Sequence, residues 1–319
     1  MRGRIIVLVS LLAGLVFALL FARQVYLGKF IPRTQFAEKK LQILTYSTFV
    51  SSSGPGGEIF QRFKREHACD IEVQTVSDAG LLLERLRLSP FDVVIGLDQL
   101  MLNKAQVQTH WQALEPFDWS PLTFIYRKDG GIEPPATFDD LLRPNLHGQI
   151  AIEDPRTSSP GMDFVAWVHE LKGAQSANFF AQLKPNVQAV APSWTFAYGL
   201  FEKREVGFVL SYLTSLAYHW GVQHDRNFQA VAFPQGHPVQ TEYAGVPEGC
   251  RECQLAQDFM AAMKTPWAQT LIMQKNFMLP VLKEVEQGTI FAELPELKTL
   301  SITHSSPEDL NDWDQNFKH

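Results

Sequence analysis

The chain has 319 residues, 45% of them hydrophobic, and 34 acidic against 28 basic side chains give a formal net charge of −6. Both signs are interspersed and no basic stripe stands out, which argues against a nucleic-acid partner. A chain of this length is more than one compact core usually holds, so two lobes are expected.

The chain opens M-R-G-R, and residues 5–22 then carry no charge, a positively flanked apolar run that reads as an export signal. The run is long for a signal core, and L-F-A before Arg23 fits a small-x-small cleavage site poorly, so an uncleaved N-terminal membrane anchor is the other reading. No cysteine follows the run, which argues against a lipid anchor. Residues 23–40, with Pro32 and Lys39-Lys40, read as a tether, so 1–40 is set apart from the folded part.

Residues 41–49 alternate as a strand does, and Gly54-Pro55-Gly56-Gly57 breaks the run before a helix carrying Ile59, Phe60 and Phe63. Residues 70–76 read as the next strand. Leu82, Leu83 and Leu86 then mark a helix, and F-D-V-V-I-G-L ending at Asp98 is a buried strand. Strand, helix, strand, helix, strand predicts a parallel sheet, with Tyr46, Asp78 and Asp98 on the rim where such sheets bind ligands. A strand-like run at 116–126 marks the crossing between lobes, and residues 137–142 suit a short capped helix.

In I-A-I-E-D-P-R-T-S-S-P-G-M-D-F-V-A-W-V-H-E-L (150–171) a strand-like start passes through a polar turn into a helical pattern. Ser158 or Ser159 suits its cap and Pro160 its first turn, while Phe164, Trp167, Val168 and Leu171 recur on one face. The two hydroxyls and the free N–H groups of that end can seat a phosphate or carboxylate. An ordinary capped helix has the same pattern. Next, 187–190 delivers Pro192-Ser193-Trp194 to a helix at 195–203, and the buried strand 206–210 ends in Ser211-Tyr212-Leu213-Thr214-Ser215 before a helix with Tyr218 and Trp220. The second half repeats the first. The expected organisation is 41–118 with 229–319 as one lobe, including return strands at 228–233 and 239–243, and 119–228 as the other.

No catalytic motif is present: G-x-S-x-G, G-x-x-x-x-G-K-[ST], H-E-x-x-H and G-x-G-x-x-G are all absent. The nine histidines show no ligand spacing, and of the three cysteines Cys250 and Cys253 read as a small disulfide loop, with Cys69 left over. The rims instead carry Tyr46, Trp194, Tyr212 and Tyr218, whose ring faces suit a flat cation, with Asp78 opposite or capping the helix near Gly80.

In order, L-T-Y-S-T-F with G-P-G, L-L-L-E-R-L-R, V-V-I-G-L-D, P-F-D-W, D-P-R-T-S-S-P-G, S-W-T-F-A-Y-G-L-F and L-S-Y-L-T-S-L-A-Y-H resemble the periplasmic thiamine-binding proteins of thiamine ABC importers, over about residues 41–280. The resemblance implies an α/β type II periplasmic-binding-protein fold, two lobes with a ligand cleft between them. It implies a monomer in the periplasm, not an enzyme and without a cofactor, that closes on thiamine, thiamine monophosphate or thiamine diphosphate and passes it to an ABC permease in the inner membrane. Matched residue by residue, Asp78 and Ala79 fall on the family's acidic ligand-contacting turn, Ser158 and Ser159 on its phosphate-contacting hydroxyls and Trp194 on its stacking tryptophan. Tyr212, Leu213, Thr214, Ser215 and Leu216 fall on its second polar turn, and Tyr46 and Tyr218 on cleft tyrosines. Ser47 stands where the family has an aspartate, and Ser53 and Phe277 stand where it has tryptophans. Rival readings are a ferric-ion or other small-solute binder of the same fold, a thiamine-phosphate hydrolase using Ser158 or Ser159, and a sensor reporting to a membrane partner.

Overall fold

The computed structural model describes residues 39–303 and 307–317. The export-signal and anchor expectations, and the tether up to residue 38, lie outside the described residues. Among those described, no helix is long and apolar enough to cross a membrane.

The alternating K-L-Q-I-L-T-Y forms β1 (Lys40–Tyr46), the middle of a parallel trio with β2 (Asp70–Val76) and β3 (Val93–Asp98). Helices α1 (Gly56–His67) and α2 (Leu82–Leu86) make the crossovers. β3 is buried along its whole length, as an unbroken apolar run between helical layers requires. Ile59, Phe60 and Phe63 of α1 join Phe49, Phe117 and Phe259 in the core of this first lobe.

After α3 (Leu102–Gln108) comes β4 (Trp111–Arg127), longer than the strand predicted at 116–126. Then follow β5 (Ile150–Glu153), α4 (Ser159–Lys172), α5 (Ser176–Leu183), β6 (Val187–Ala191), α6 (Trp194–Glu202), β7 (Phe208–Tyr212), the short helix α7 (Ser215–Ala217), β8 (Phe228–Ala230) and β9 (His237–Pro247). β4 is long because it serves both lobes. It pairs antiparallel with β9 from Trp111 opposite Pro247 to Pro121 opposite Val239, then with β7 from Leu122 opposite Tyr212 to Tyr126 opposite Phe208. The strand order is β2-β1-β3-β9-β4-β7-β5-β6, so β4 and β9 form the bridge.

The second lobe has two cores because its strands alternate. Ile150, Ile152, Phe208 and Leu210 face one, with Phe164 and Trp167 of α4, and Ala151 and Val209 face the other. Trp167 donates from Nε1 to Gly236 O at 3.0 Å and packs against Phe138 and Phe233. Fully burying a ring of this kind is worth about 1.5–3 kcal/mol.

Helices α8 (Cys253–Met263) and α9 (Pro266–Asn276) return to the first lobe, but the chain does not stay there. Leu294 and Leu297 pack into the second lobe, and α10 (Pro307–Phe317) lies on α4 and α5, with Trp313 buried and edge-on to Phe180 at 5.6 Å. The reading of 229–319 as first lobe thus differs from the structure at both ends, since β8, Val231 and Phe233 also pack in the second lobe, as does the chain after about residue 290. The acidic tail hides Trp313 and Phe317 on one helical face, and the aromatic surface they cover, at Phe180 of α5, is on the second lobe. Cys250 and Cys253 are disulfide-bonded and Cys69 is free and buried.

Candidate functional site

At the end of β1, Tyr46 reaches the cleft because β3 yields space: Gly96 has φ +104°, and a Cβ there would stand 2.4 Å from the Tyr46 ring. The phenol donates to Glu242 Oε2 at 2.7 Å and accepts from Asn276 Nδ2 at 2.9 Å. Asn276 Nδ2 also donates to Asp118 Oδ2 at 2.8 Å, and Asp118 is the β4 register partner of Glu242 on β9. Burial pushes Glu242 up to about 7 and, with the charge of Glu242 added, lifts Asp118 well above the carboxylate range.

The turn after β2 supplies Asp78, which accepts from Gly80 N and, across the cleft, from the backbone N of Trp194, both at 3.4 Å. Burial raises its carboxyl against these bonds. The lobes meet along this rim, since a Cβ on Gly80 would stand 2.6 Å from Thr157 O of the second lobe.

From the second lobe, β5 leads through Glu153 to the N-terminus of α4. Ser158 and Ser159 are both buried there, and Glu153 is raised by burial and then by the charge of Asp78. β6 delivers α6, whose first turn is capped by Ser193 accepting from Phe196 N. The Trp194 indole donates to Ser211 Oγ at 2.8 Å, stacks on Tyr198 at 4.8 Å and lies 6.4 Å from Tyr212. Tyr198 is fixed from behind: its hydroxyl is 2.6 Å from His219 Nε2, and the imidazole stacks on Phe228. After α7 a π-turn, Tyr218–Val222, takes the place of a regular helix and sets Tyr218 edge-on to Phe277 at 5.3 Å.

These groups enclose a cavity of about 410 Å³ between the lobes. Of the residues singled out in the sequence, Tyr46, Asp78, Ala79, Ser159, Trp194, Tyr212, Ser215, Tyr218 and Phe277 line it, as does Ser53. Four others lie outside the lining. Ser158 is wholly buried at the N-cap of α4, Leu213 and Leu216 pack in the second-lobe core, and Thr214 Oγ1 bonds to Ser120 Oγ at 3.1 Å. The turn after Tyr212 sends successive side chains in different directions, and only Tyr212 and Ser215 meet the cleft. Ser47 donates to Ser77 O at 3.1 Å, and Arg156 braces Asp154 and Asp314.

Tyr198, Glu202, Glu242, Lys275 and Asn276 also line the cavity and were not singled out as site residues. The signal for Glu242 points the other way: V-Q-T-E-Y places Val239, Thr241 and Tyr243 on the apolar face of β9, yet Gln240 and Glu242 are the buried ones. Asn276 had none. The lining carries three carboxylates, and its one cation, Lys275, pairs with Glu58. Among the described residues no group of three or more His, Cys, Asp or Glu is placed to hold a metal ion.

The family model for bacterial extracellular solute-binding proteins matches residues 50–278. The chain is 32% identical to the thiamine-binding periplasmic protein of Brucella abortus, over 77% of this chain and 80% of that one. It is 32% identical to the thiamine-binding periplasmic protein of Haemophilus influenzae, over 87% and 91%. A solved periplasmic thiamin binding protein superposes with a TM-score of 0.81 at 28% identity, over 88% of this chain and 96% of that one. A ferric binding protein from Campylobacter jejuni, at TM-score 0.72 and 15% identity over 87% and 99%, shares the fold.

Proposed function

The chain belongs to the bacterial extracellular solute-binding protein family, and from that premise we propose that it is a periplasmic protein that binds thiamine or its phosphates between its lobes and delivers them to an ABC permease. The observation that carries this reading is the aromatic cavity. Trp194, Tyr198 and Tyr212 of one lobe and Tyr46 of the other form its walls, with carboxylates in the lining and no unpaired cationic side chain.

A flat cation gains about 0.5–2 kcal/mol from each desolvated ring face it meets. Nanomolar binding needs about 12 kcal/mol, whereas thiamine's ~18 heavy atoms at ~0.3 kcal/mol each supply only ~5. Enclosure must make up the difference, and the contact of Asp78 with Trp194 along one rim is how two lobes hold a ligand shut in. Ser158, Ser159, Leu213, Thr214 and Leu216 belong to this reading as turns that shape the cleft, Ser159 alone of them facing the ligand.

The reading is of a binding protein and not a hydrolase: among the described residues no histidine lines the cavity beside either serine. Titrating the purified protein with thiamine, thiamine monophosphate and thiamine diphosphate while following tryptophan fluorescence tests it. Saturable quenching by at least one of them is expected, without phosphate release. No response to any would remove the ligand assignment and leave the fold, and a visible charge-transfer band with ferric ion would support the iron reading instead.

A further inference from the structure

We propose that Glu242 reads the ligand's positive charge, so that the cleft selects a cationic heteroaromatic ring over a neutral one of the same shape. The inference rests on the functional reading above and deepens it. It starts from an arrangement that folding alone disfavours. Glu242 on β9 has Asp98 as register partner on β3 and Asp118 on β4, three carboxylates abreast on adjacent strands at the bridge between lobes. Like charges directly opposite one another in a sheet destabilise it.

Two of the three have local work. Asp98 accepts from Leu100 N at 2.8 Å and Met101 N at 2.9 Å, capping the turn after β3. Asp118 accepts from Asn276, and its other oxygen is buried without a partner. Neither lines the cavity; Glu242 does, 5% exposed, at the floor. The groups facing it are Tyr46 from β1, Asp98 from β3, Asp118 from β4, Tyr212 from β7, Asn276 from α9 and, farther off, Asp78, and among the described residues none of these is a cation.

Asp78, the other acid within the cleft, is already engaged by Gly80 N and Trp194 N, and Glu202 sits exposed on α6 at the mouth. Glu242 is left as the buried acid in the lining that meets side-chain donors alone among the described residues, the Tyr46 hydroxyl at 2.7 Å and the Asn276 amide beside it. Burial, with the charges of Asp98 and Asp78, pushes Glu242 up to about 7 against the hydrogen bond from Tyr46. A cation arriving above it favours the charged form, so binding expels a proton and weakens as pH falls below about 7.

The test is calorimetric titration of the wild-type chain and Glu242→Gln with thiamine and with 3-deazathiamine, whose corresponding ring is neutral. The wild type should prefer thiamine at least tenfold, and Glu242→Gln should bring the two ligands within threefold, with the larger loss on thiamine. Equal losses on both ligands, or an unchanged preference, would overturn the assignment. Repeating the wild-type titration at pH 7 in buffers of different ionisation enthalpy gives a reading that needs no variant. Protons should be released on binding thiamine and not on binding 3-deazathiamine, and equal proton counts would overturn it as well. If the wild type binds neither ligand, the functional reading itself fails.

Discussion

Removing the indole of Trp194 tests the aromatic wall most directly. The ring does three things: it stacks on Tyr198 at 4.8 Å, donates to Ser211 Oγ at 2.8 Å and faces the cavity. Trp194→Ala loses a ring face worth about 0.5–2 kcal/mol to a desolvated cation. It also loosens a stacked pair worth about 0.5–1.5 kcal/mol that holds Tyr198 in place. Together these come to about 1–3.5 kcal/mol, or a ~5- to 300-fold loss of thiamine affinity. Trp194 is half-buried, so the folding cost should stay below the ~3–5 kcal/mol of a fully buried ring. Trp194→Phe keeps a ring face and loses the bond to Ser211, and should fall about fivefold. Isothermal calorimetry is the assay, because fluorescence would lose its reporter, and denaturant melts give the stability term. A Trp194→Ala variant that stays folded and binds thiamine within threefold of wild type would refute the stacking role.

Gly80→Ala places a methyl 2.6 Å from Thr157 O across the rim. It should hold the lobes apart and weaken ligand binding about tenfold with little change in melting temperature, and X-ray scattering should show a more open ligand-bound particle. Gly96→Ala combines φ +104° with a 2.4 Å approach to the Tyr46 ring and should cost about 2–4 kcal/mol by denaturant unfolding, since strain and overpacking add. His237 titrates out of its ordinary range: burial holds it down to about 4 against the hydrogen bond between Nδ1 and Leu122 O, while Nε2 accepts from Phe233 N. The folded state then binds fewer protons than the unfolded one between pH 6.5 and 4. Stability should fall by about 3 kcal/mol as pH drops through that window, and urea melts of His237→Asn should show a lower value at pH 7 with a flatter profile.

The first lobe was legible because its signals are local. K-L-Q-I-L-T-Y and F-D-V-V-I-G-L carry strand periodicity in their own residues, and the structure has β1 at Lys40–Tyr46 and β3 at Val93–Asp98. The extent of β4 was not legible, because the pairing of Trp111 with Pro247 depends on a strand about 130 residues later. The lobe on which the tail docks was not legible for a related reason. Trp313 and Phe317 look like two apolar residues in an acidic stretch, and only α4 and α5 show which surface they cover.

The site divides along the same line. Residues that end strands or begin helices could be placed on a rim from the sequence, because the ends of elements in a parallel sheet share one side; Tyr46, Asp78 and Trp194 are of this kind. Within a turn the direction of each side chain depends on backbone angles that composition does not fix, so Tyr212 and Ser215 line the cavity while Leu213 and Thr214 turn away. Asn276 closes a polar cluster with Tyr46 and Asp118 from sequence distances of 230 and 158 residues. No window along the chain contains that arrangement. It exists because β4 and β9 bring the two lobes together at one pair of strands, and the buried acids stand at that junction. The groups that set the cleft's charge are therefore held by the same strands about which the lobes must move, and ligand charge and lobe closure act on one set of contacts.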